Sequence, residues 1–351
     1  MTSTTKVSRY AQAGVDIDKK YDAVERATAA IRSTFTPGVV GDVGLFGGLF
    51  DPAKMGFRDA LLVASTDGVG TKLDVAKRAR VYDTVGRDIV HHCIGDILVQ
   101  GAWPLFFLDY IAVGKMDPPM VSDLIRGCAE ACRDAGLALL GGETAEMPGL
   151  YAPGDFDLAG TIVGAVRREK LLDGSRVRPG QVLVGLSSSG LHTNGYSLAR
   201  RVLFEELGLR IDDRPRELGG QSVGEALLAV HKNYLPLVWP LLERDQVQAL
   251  AHITGGGLVD NVPRVLGACD AWIDRASWTP PPLFRFLCAQ GGVDPEESYQ
   301  VFNMGIGMVA FVEERELQAV LASLAARGEE GLVIGRTRAR SGAEGVVRWT
   351  R

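Results

Sequence analysis

The chain has 351 residues, 46% of them hydrophobic and 23% charged, with a formal net charge of -5. That length exceeds what a single core usually fills, so two domains of ordinary size are expected, and the composition excludes disorder, collagen and coiled coil. No Lys/Arg cluster is present to draw a polyanion, no apolar run is long enough for a membrane span, and five cysteines in so long a chain do not make a disulfide framework. A reduced, cytoplasmic protein that binds neither nucleic acid nor membrane is expected.

Apolar runs rich in Val, Leu, Ile and Phe predict strands at 60–66, 105–113, 137–140, 158–166, 181–187 and 308–312. Helical stripes fall between them. Val85, Ile89, Cys93 and Ile97 share one face, as do Val121, Leu124, Ile125, Cys128 and Cys132, whose two cysteines read as small buried apolar residues rather than a metal pair. Leu198, Val202 and Leu203 mark a further helix, and Leu227, Leu228, His231, Leu235, Val238 and Leu242 another, with His231 read as a packed histidine. The charged stretch 167–181, which ends in Pro-Gly, predicts a boundary between domains 1–170 and 171–351.

Glycine is abundant, at 43 residues, about 12% against an ordinary share of about 7%. The glycines cluster at 41–48, 67–70, 141–149, 187–195, 254–257 and 303–308, in loops that also carry acids, His, Asn or Thr. Loops of that kind let a polyanionic or nucleotide ligand approach the backbone, although any one of them also suits a tight turn.

Asp67, Asp96 and Glu143 stand at strand or helix ends beside glycine. Carboxylates converging from separate elements suit Mg²⁺ on a nucleotide, and each taken alone also suits a cap. Thr71 and Lys72 close the DGVG loop, where a hydroxyl and an ammonium can meet phosphate oxygens. Neither the GxxxxGK[ST] loop nor a GxGxxG after a strand is present, so the common nucleotide folds are disfavoured. In the second half, SSSGLHTNG (187–195) joins a strand end to a helix start, and Ser188, Ser189 and Asn194 suit a phosphate monoester, with His192 able to carry a proton. AHITGGG repeats the design with His252 and Thr254. No Ser/His/Asp or Cys/His signature supports covalent nucleophilic catalysis.

Taken together, AGVDID (13–18), STDGVGTK (65–72), LVQGAWPLFFLDY (98–110), GGETAEMPG (141–149), SSSGLHTNGYSL (187–198), HITGGG (252–257) and FNMGIGM (302–308) resemble the phosphoribosylformylglycinamidine cyclo-ligase (AIR synthetase) family over nearly the whole chain. The resemblance implies an α/β fold of α+β type with mixed sheets. Its N-terminal domain would bind ATP and metal and form an intersubunit β-barrel in a homodimer, and its C-terminal domain would pack helices on a sheet. It also implies ATP and Mg²⁺ with formylglycinamidine ribonucleotide as substrate. On this resemblance Asp67, Asp96 and Glu143 would hold Mg²⁺. Gly47, Gly48, Thr66, Asp67, Gly68, Gly70, Thr71 and Lys72 would line the nucleotide phosphates. Ser188, Ser189, Gly190, His192, Asn194, Gly195, His252, Thr254, Gly255 and Gly256 would meet the substrate, and His192 and Lys72 would act in catalysis. Four positions depart from the family pattern: Gly95 stands where an Asn usually precedes Asp96, Asp42 and Leu45 replace glycines, and Trp103 replaces a Glu.

Overall fold

The computed structural model describes residues 17–40 and 48–350. Helix α1 (Ile17–Arg32) leads to a two-stranded ribbon, β1 (Val39–Val40) with β2 (Leu49–Phe50). The rest of the first half is a four-stranded sheet in the order β3-β6-β4-β5, built from β3 (Ala60–Gly68), β4 (Trp103–Val113), β5 (Ala138–Glu146) and β6 (Phe156–Arg167). Strands β4 and β5 run parallel and the other pairs antiparallel, so the sheet is mixed as expected. The short helix α2 (Lys72–Ala79) follows β3, and α3 (Asp83–Leu98) packs on β3, β4 and β6.

Helix α4 (Pro118–Ala135) shows why the local sequence folds as it does. Asp117 accepts the Met120 N–H at its start, proline occupies its first turn, and Gly136 at φ 73° closes it. Its predicted stripe, Val121 to Cys132, is buried against α1, α3 and the sheet. Alternation along β3 and β6 puts Leu158 and Ile162 under the helices and leaves Leu62, Ala64, Thr66, Thr161 and Val163 on a face that no helix among the described residues covers; Leu62 is 66% exposed.

The second half is a six-stranded sheet, β12-β9-β11-β7-β10-β8, made of β7 (Val182–Ser187), β8 (Ala249–His252), β9 (Cys269–Ile273), β10 (Ile306–Val312), β11 (Leu332–Ala339) and β12 (Val347–Trp349). Only β12 and β9 run parallel. Strand β10 is buried at every position. Helices α5 (Tyr196–Arg200, continuing as a π turn through Arg201–Glu206), α6 (Val223–Leu227), α7 (Leu235–Glu243), α8 (Gly257–Asn261), α9 (Pro282–Gly291), α10 (Pro295–Val301) and α11 (Leu317–Ala325) complete it. The two halves meet where α3 touches β8 and α7.

The continuous helix expected from Leu227 to Leu242 does not form. Side chains claim the backbone groups that it would need: Lys72 donates to the Ala229 carbonyl, Ser189 to that of Val230, and Asp88 accepts the His231 N–H at 2.7 Å. Residues 228–234 therefore run irregularly between α6 and α7. All five cysteines are free, and Cys128 and Cys132 are buried.

Candidate active site

A cleft of about 690 Å³ opens between the halves. Ser65, Asp67 and Asp96 line it from the first half; Asn194, His252, Thr254, Gly255 and Arg264 line it from the second. Strand alternation turns Ser65 and Asp67 toward α3, where Asp88, His92 and Asp96 follow one another at four-residue intervals along one helix face.

The acids form a tight group there. Single ligand atoms of Asp67, His92 and Asp96 all lie within 4.8 Å of one another. His92 Nε2 stands 2.9 Å from Asp67 Oδ2 and 3.7 Å from Asp96 Oδ2, while its Nδ1 is 2.6 Å from Thr193 Oγ1 in the second half. Burial alone would lower the His92 imidazole, but the carboxylates of Asp67 and Asp96 outweigh it and raise the group above its ordinary value. Burial would likewise raise the two carboxyls; bonding and charge from His92 hold Asp67 down, and His252 with His92 hold Asp96 down. Both acids are thus carboxylates at neutral pH, and Ser65 Oγ donates to Asp96 at 2.9 Å. Two ionised hard-oxygen donors facing a cleft fit Mg²⁺, which takes one or two carboxylates and completes its shell with water and substrate phosphate.

All five histidines of the chain gather at this seam. His252 Nδ1–H donates to Asp96 Oδ1 at 2.9 Å, which leaves its Nε2 as acceptor, 3.2 Å from His231 Nε2. His231 stacks on His192 with ring centroids 3.9 Å apart. His91 Nδ1 is 2.6 Å from the His231 carbonyl. Beneath them Lys72 and Asp88, both fully buried, pair at 2.6 Å. Burial pulls the Lys72 ammonium down and pushes the Asp88 carboxyl up, and their mutual contact opposes both shifts.

Several expectations need correction. Lys72 does not face an open phosphate loop. As the first residue of α2 it points inward, to Asp88 and to the carbonyls of His192 and Ala229. His192 is fully buried and lies outside the cleft lining, with its Nε2 accepting the Ser189 N–H and its ring held well below the ordinary imidazole range by burial and by neighbouring His252 and Lys72. Glu143 is not with the other acids: β5 and β3 are opposite edges of the four-stranded sheet, about 14 Å apart by strand spacing. Thr66 faces the other side of β3 from Asp67 and meets Thr161 Oγ1 at 2.8 Å. Ser188 and Ser189 spend their hydroxyls on Asn303 and on the Val230 carbonyl.

The remaining residues hold turns. Gly68 ends β3, Gly70 takes φ 68° before α2, and Thr71 Oγ1 reaches Ser197 Oγ across the seam at 3.2 Å. Gly48 lies against Leu140 of β5, and Gly190 gives its carbonyl to Asn303. Gly195 and Gly256, both at positive φ, precede α5 and α8. Gly47, Asp42, Leu45 and the segment 13–16 lie outside the described residues. Sequence reasoning missed His92 and Asp88, and it took His231 for ordinary packing; the four-residue repeat Asp88–His92–Asp96 is the signal that finds the first two.

Fold and site define a member of the AIR synthase related proteins: the N-terminal domain model of that family matches residues 50–166 and the C-terminal domain model residues 178–348. Thiamine-monophosphate kinase from Stenotrophomonas maltophilia shares the fold at TM-score 0.71 and 17% identity, covering 94% of this chain and 96% of its own. The E. coli hydrogenase maturation protein HypE shares it at 0.66 and 20%, covering 93% and 92%. Much nearer in sequence are phosphoribosylformylglycinamidine cyclo-ligases from Desulfatibacillum aliphaticivorans, 48% identical, and Lactobacillus delbrueckii subsp. bulgaricus, 45% identical, each over 97% of this chain and 98% of the relative. The chain belongs to the phosphoribosylformylglycinamidine cyclo-ligase family.

Proposed function

We propose that this cleft is where ATP drives ring closure of formylglycinamidine ribonucleotide to 5-aminoimidazole ribonucleotide, with release of ADP and phosphate, in purine biosynthesis. One observation carries the reading: in a chain of the cyclo-ligase family, two ionised carboxylates on one wall, Asp67 and Asp96, face the Asn194, His252, Thr254 and Gly255 wall of the other half.

A formamide carbon is a poor electrophile. Transfer of the γ-phosphoryl group to the formyl oxygen breaks the bond to ADP, and loss of the formamide N–H proton makes an iminophosphate. The amine nitrogen then attacks that carbon, the C–O bond breaks, phosphate leaves, and one proton departs from the nitrogen. Asp67 and Asp96 would hold Mg²⁺, which supplies charge neutralisation for the ATP phosphates. His252 is the one imidazole among the described residues lining the cleft; its Nδ1–H is held by Asp96 and its Nε2 meets His231 Nε2 at 3.2 Å, so both ring nitrogens are engaged and its part is to hold the Asp96 carboxylate in place. Lys72 and His192 act from beneath, by fixing the backbone of 189–192 and 229–231 against α3. Most of the acceleration is then positioning and charge stabilisation.

The division at 170/171 is part of the same proposal; it is supported by the break between β6 and β7 and by the interval between the two domain-model matches. The face of the four-stranded sheet that no helix among the described residues covers, with Leu62 and Tyr110 exposed on its strands, supports a homodimer with an intersubunit barrel. Five free thiols support a cytoplasmic location, and among the described residues no helix is long and apolar enough to cross a membrane.

The test supplies ribonucleotide, ATP and Mg²⁺ and follows ADP and aminoimidazole ribonucleotide together. Equal, substrate-dependent yields are expected; ADP without the imidazole would overturn the reading.

A further inference from the structure

We propose that Arg264 binds the 5′-phosphate of the ribonucleotide substrate. The proposal rests on the cyclo-ligase reading and adds a recognition residue that neither the sequence motifs nor the acidic cluster supplied.

The cleft is electrostatically lopsided. Among the described residues lining it, Asp67, Asp96 and Asp173 carry negative charge and Arg264 is the single cation. Asp173 accepts from Ser175, which holds its carboxyl low, so all three acids are ionised. A dianionic phosphate monoester is repelled by such a wall unless a cation receives it.

Arg264 is available for that task. Arg200 and Arg275 each close on a carboxylate, at 2.9 and 2.5 Å, whereas Arg264 makes no ion pair or side-chain hydrogen bond among the described residues. It is also well placed. It sits in the turn Val262–Val265 directly after α8, next to Pro263. Asn261, three residues earlier at the end of α8, is buried and donates from Nδ2 to the carbonyls of Thr254, Gly255 and Gly257. The backbone that carries Arg264 is thereby anchored to the glycine loop that lines the same wall. Its planar fork matches phosphate oxygens in a bidentate manner that a lysine reproduces only in part. A cleft of about 690 Å³ is in the range that takes a ligand of ribonucleotide size.

The test compares the wild type with Arg264→Met and Arg264→Lys at saturating ATP. For Arg264→Met the KM for formylglycinamidine ribonucleotide is expected to rise between about 10- and 100-fold, the factor carried by a hydrogen bond to a charged group. The KM for ATP and kcat stay within about threefold, and Arg264→Lys recovers part of the loss, as a point charge without the fork would. On the dephosphorylated ribonucleoside, wild type and Arg264→Met are expected to match. An unchanged ribonucleotide KM, a rise confined to ATP, or an equal loss on the ribonucleoside would each overturn the assignment. Calorimetric titration with ribose 5-phosphate reads the contact without turnover: weaker binding by Arg264→Met supports it, and equal binding overturns it. A wild type that binds ribose 5-phosphate but makes no aminoimidazole ribonucleotide would fail the cyclo-ligase reading alone.

Discussion

The imidazole of His252 fills the space that any side chain on Gly95 would need. A Cβ placed on Gly95 would stand 2.5 Å from His252 Cε1 and 2.7 Å from Nε2, inside van der Waals contact. Glycine within a helix such as α3 costs about 1 kcal/mol relative to alanine. The seam overrides that preference, because the vacancy lets His252 lie against α3 and reach Asp96 on the next residue. The departure at position 95 gives the His252 ring its room against α3 in this chain.

Gly95→Ala is accordingly expected to lower activity although it favours the helix. Overpacking costs about 1–3 kcal/mol, which exceeds the helical gain, and displacement of His252 from Asp96 should cut kcat by about tenfold or more. Urea unfolding and steady-state rates on the purified variant check both parts. A variant as stable and as fast as the wild type would show that the ring moves aside freely.

Asp67→Asn and Asp96→Asn each remove one anionic oxygen donor from the cleft. The Mg²⁺ concentration giving half-maximal rate is expected to rise about tenfold or more in either variant, since a neutral amide is the weaker ligand for a hard cation. Magnesium titrations at fixed ATP read this directly, and unaltered half-saturation in both variants would remove these residues from the metal site.

Lys72 and Asp88 make a separate prediction, about stability. Lys72→Met strands a fully buried carboxylate and is expected to cost about 3–5 kcal/mol, whereas Lys72→Met with Asp88→Leu removes both charges and should regain much of that loss. A double-mutant cycle by urea denaturation measures the coupling. Additive losses would mean that the two side chains act independently.

Much of this was legible before the fold was seen, and the misses have physical causes. The strand runs at 60–66, 105–113, 158–166 and 308–312 are long and apolar, so they announced themselves. Strand β8 is four residues, ALAH, too short for a pattern. The stripe from Leu227 to Leu242 keeps helical periodicity across a break whose cause, capture of its backbone by Lys72, Ser189 and Asp88, lies far away in sequence. Lys72 looked like a phosphate ligand because its loop reads GTK, yet the first residue of α2 faces inward. On α3 the apolar stripe Val85–Ile89–Cys93–Ile97 shows the buried face, and Asp96 stands out beside glycine, but Asp88 and His92, at the same four-residue spacing, carry no local signal until the helix is formed.

The buried histidines set a pH dependence. His192 and His231 lie well below the ordinary imidazole value because both are fully buried, with further cost from His252 beside both and from Lys72 beside His192. In the unfolded chain each takes up a proton near pH 6.5, and in the folded chain only at lower pH, so the unfolded state binds more protons in between. Their contribution is therefore complete above about pH 6.5 and lost as pH falls below it, by up to about 1.4 kcal/mol per pH unit for each. His92 runs the opposite way: its value is raised, so its contribution is complete below about pH 6.5 and lost as pH climbs through the folded value. Asp67 and Asp96, both lowered, begin to lose theirs only as pH falls below about 4. Between pH 6.5 and 5.5 the urea midpoint of the wild type should therefore drop. His192→Asn, whose side chain tolerates the φ of 63° at that position, should drop less steeply. Parallel slopes for the two proteins would place the proton uptake on other groups.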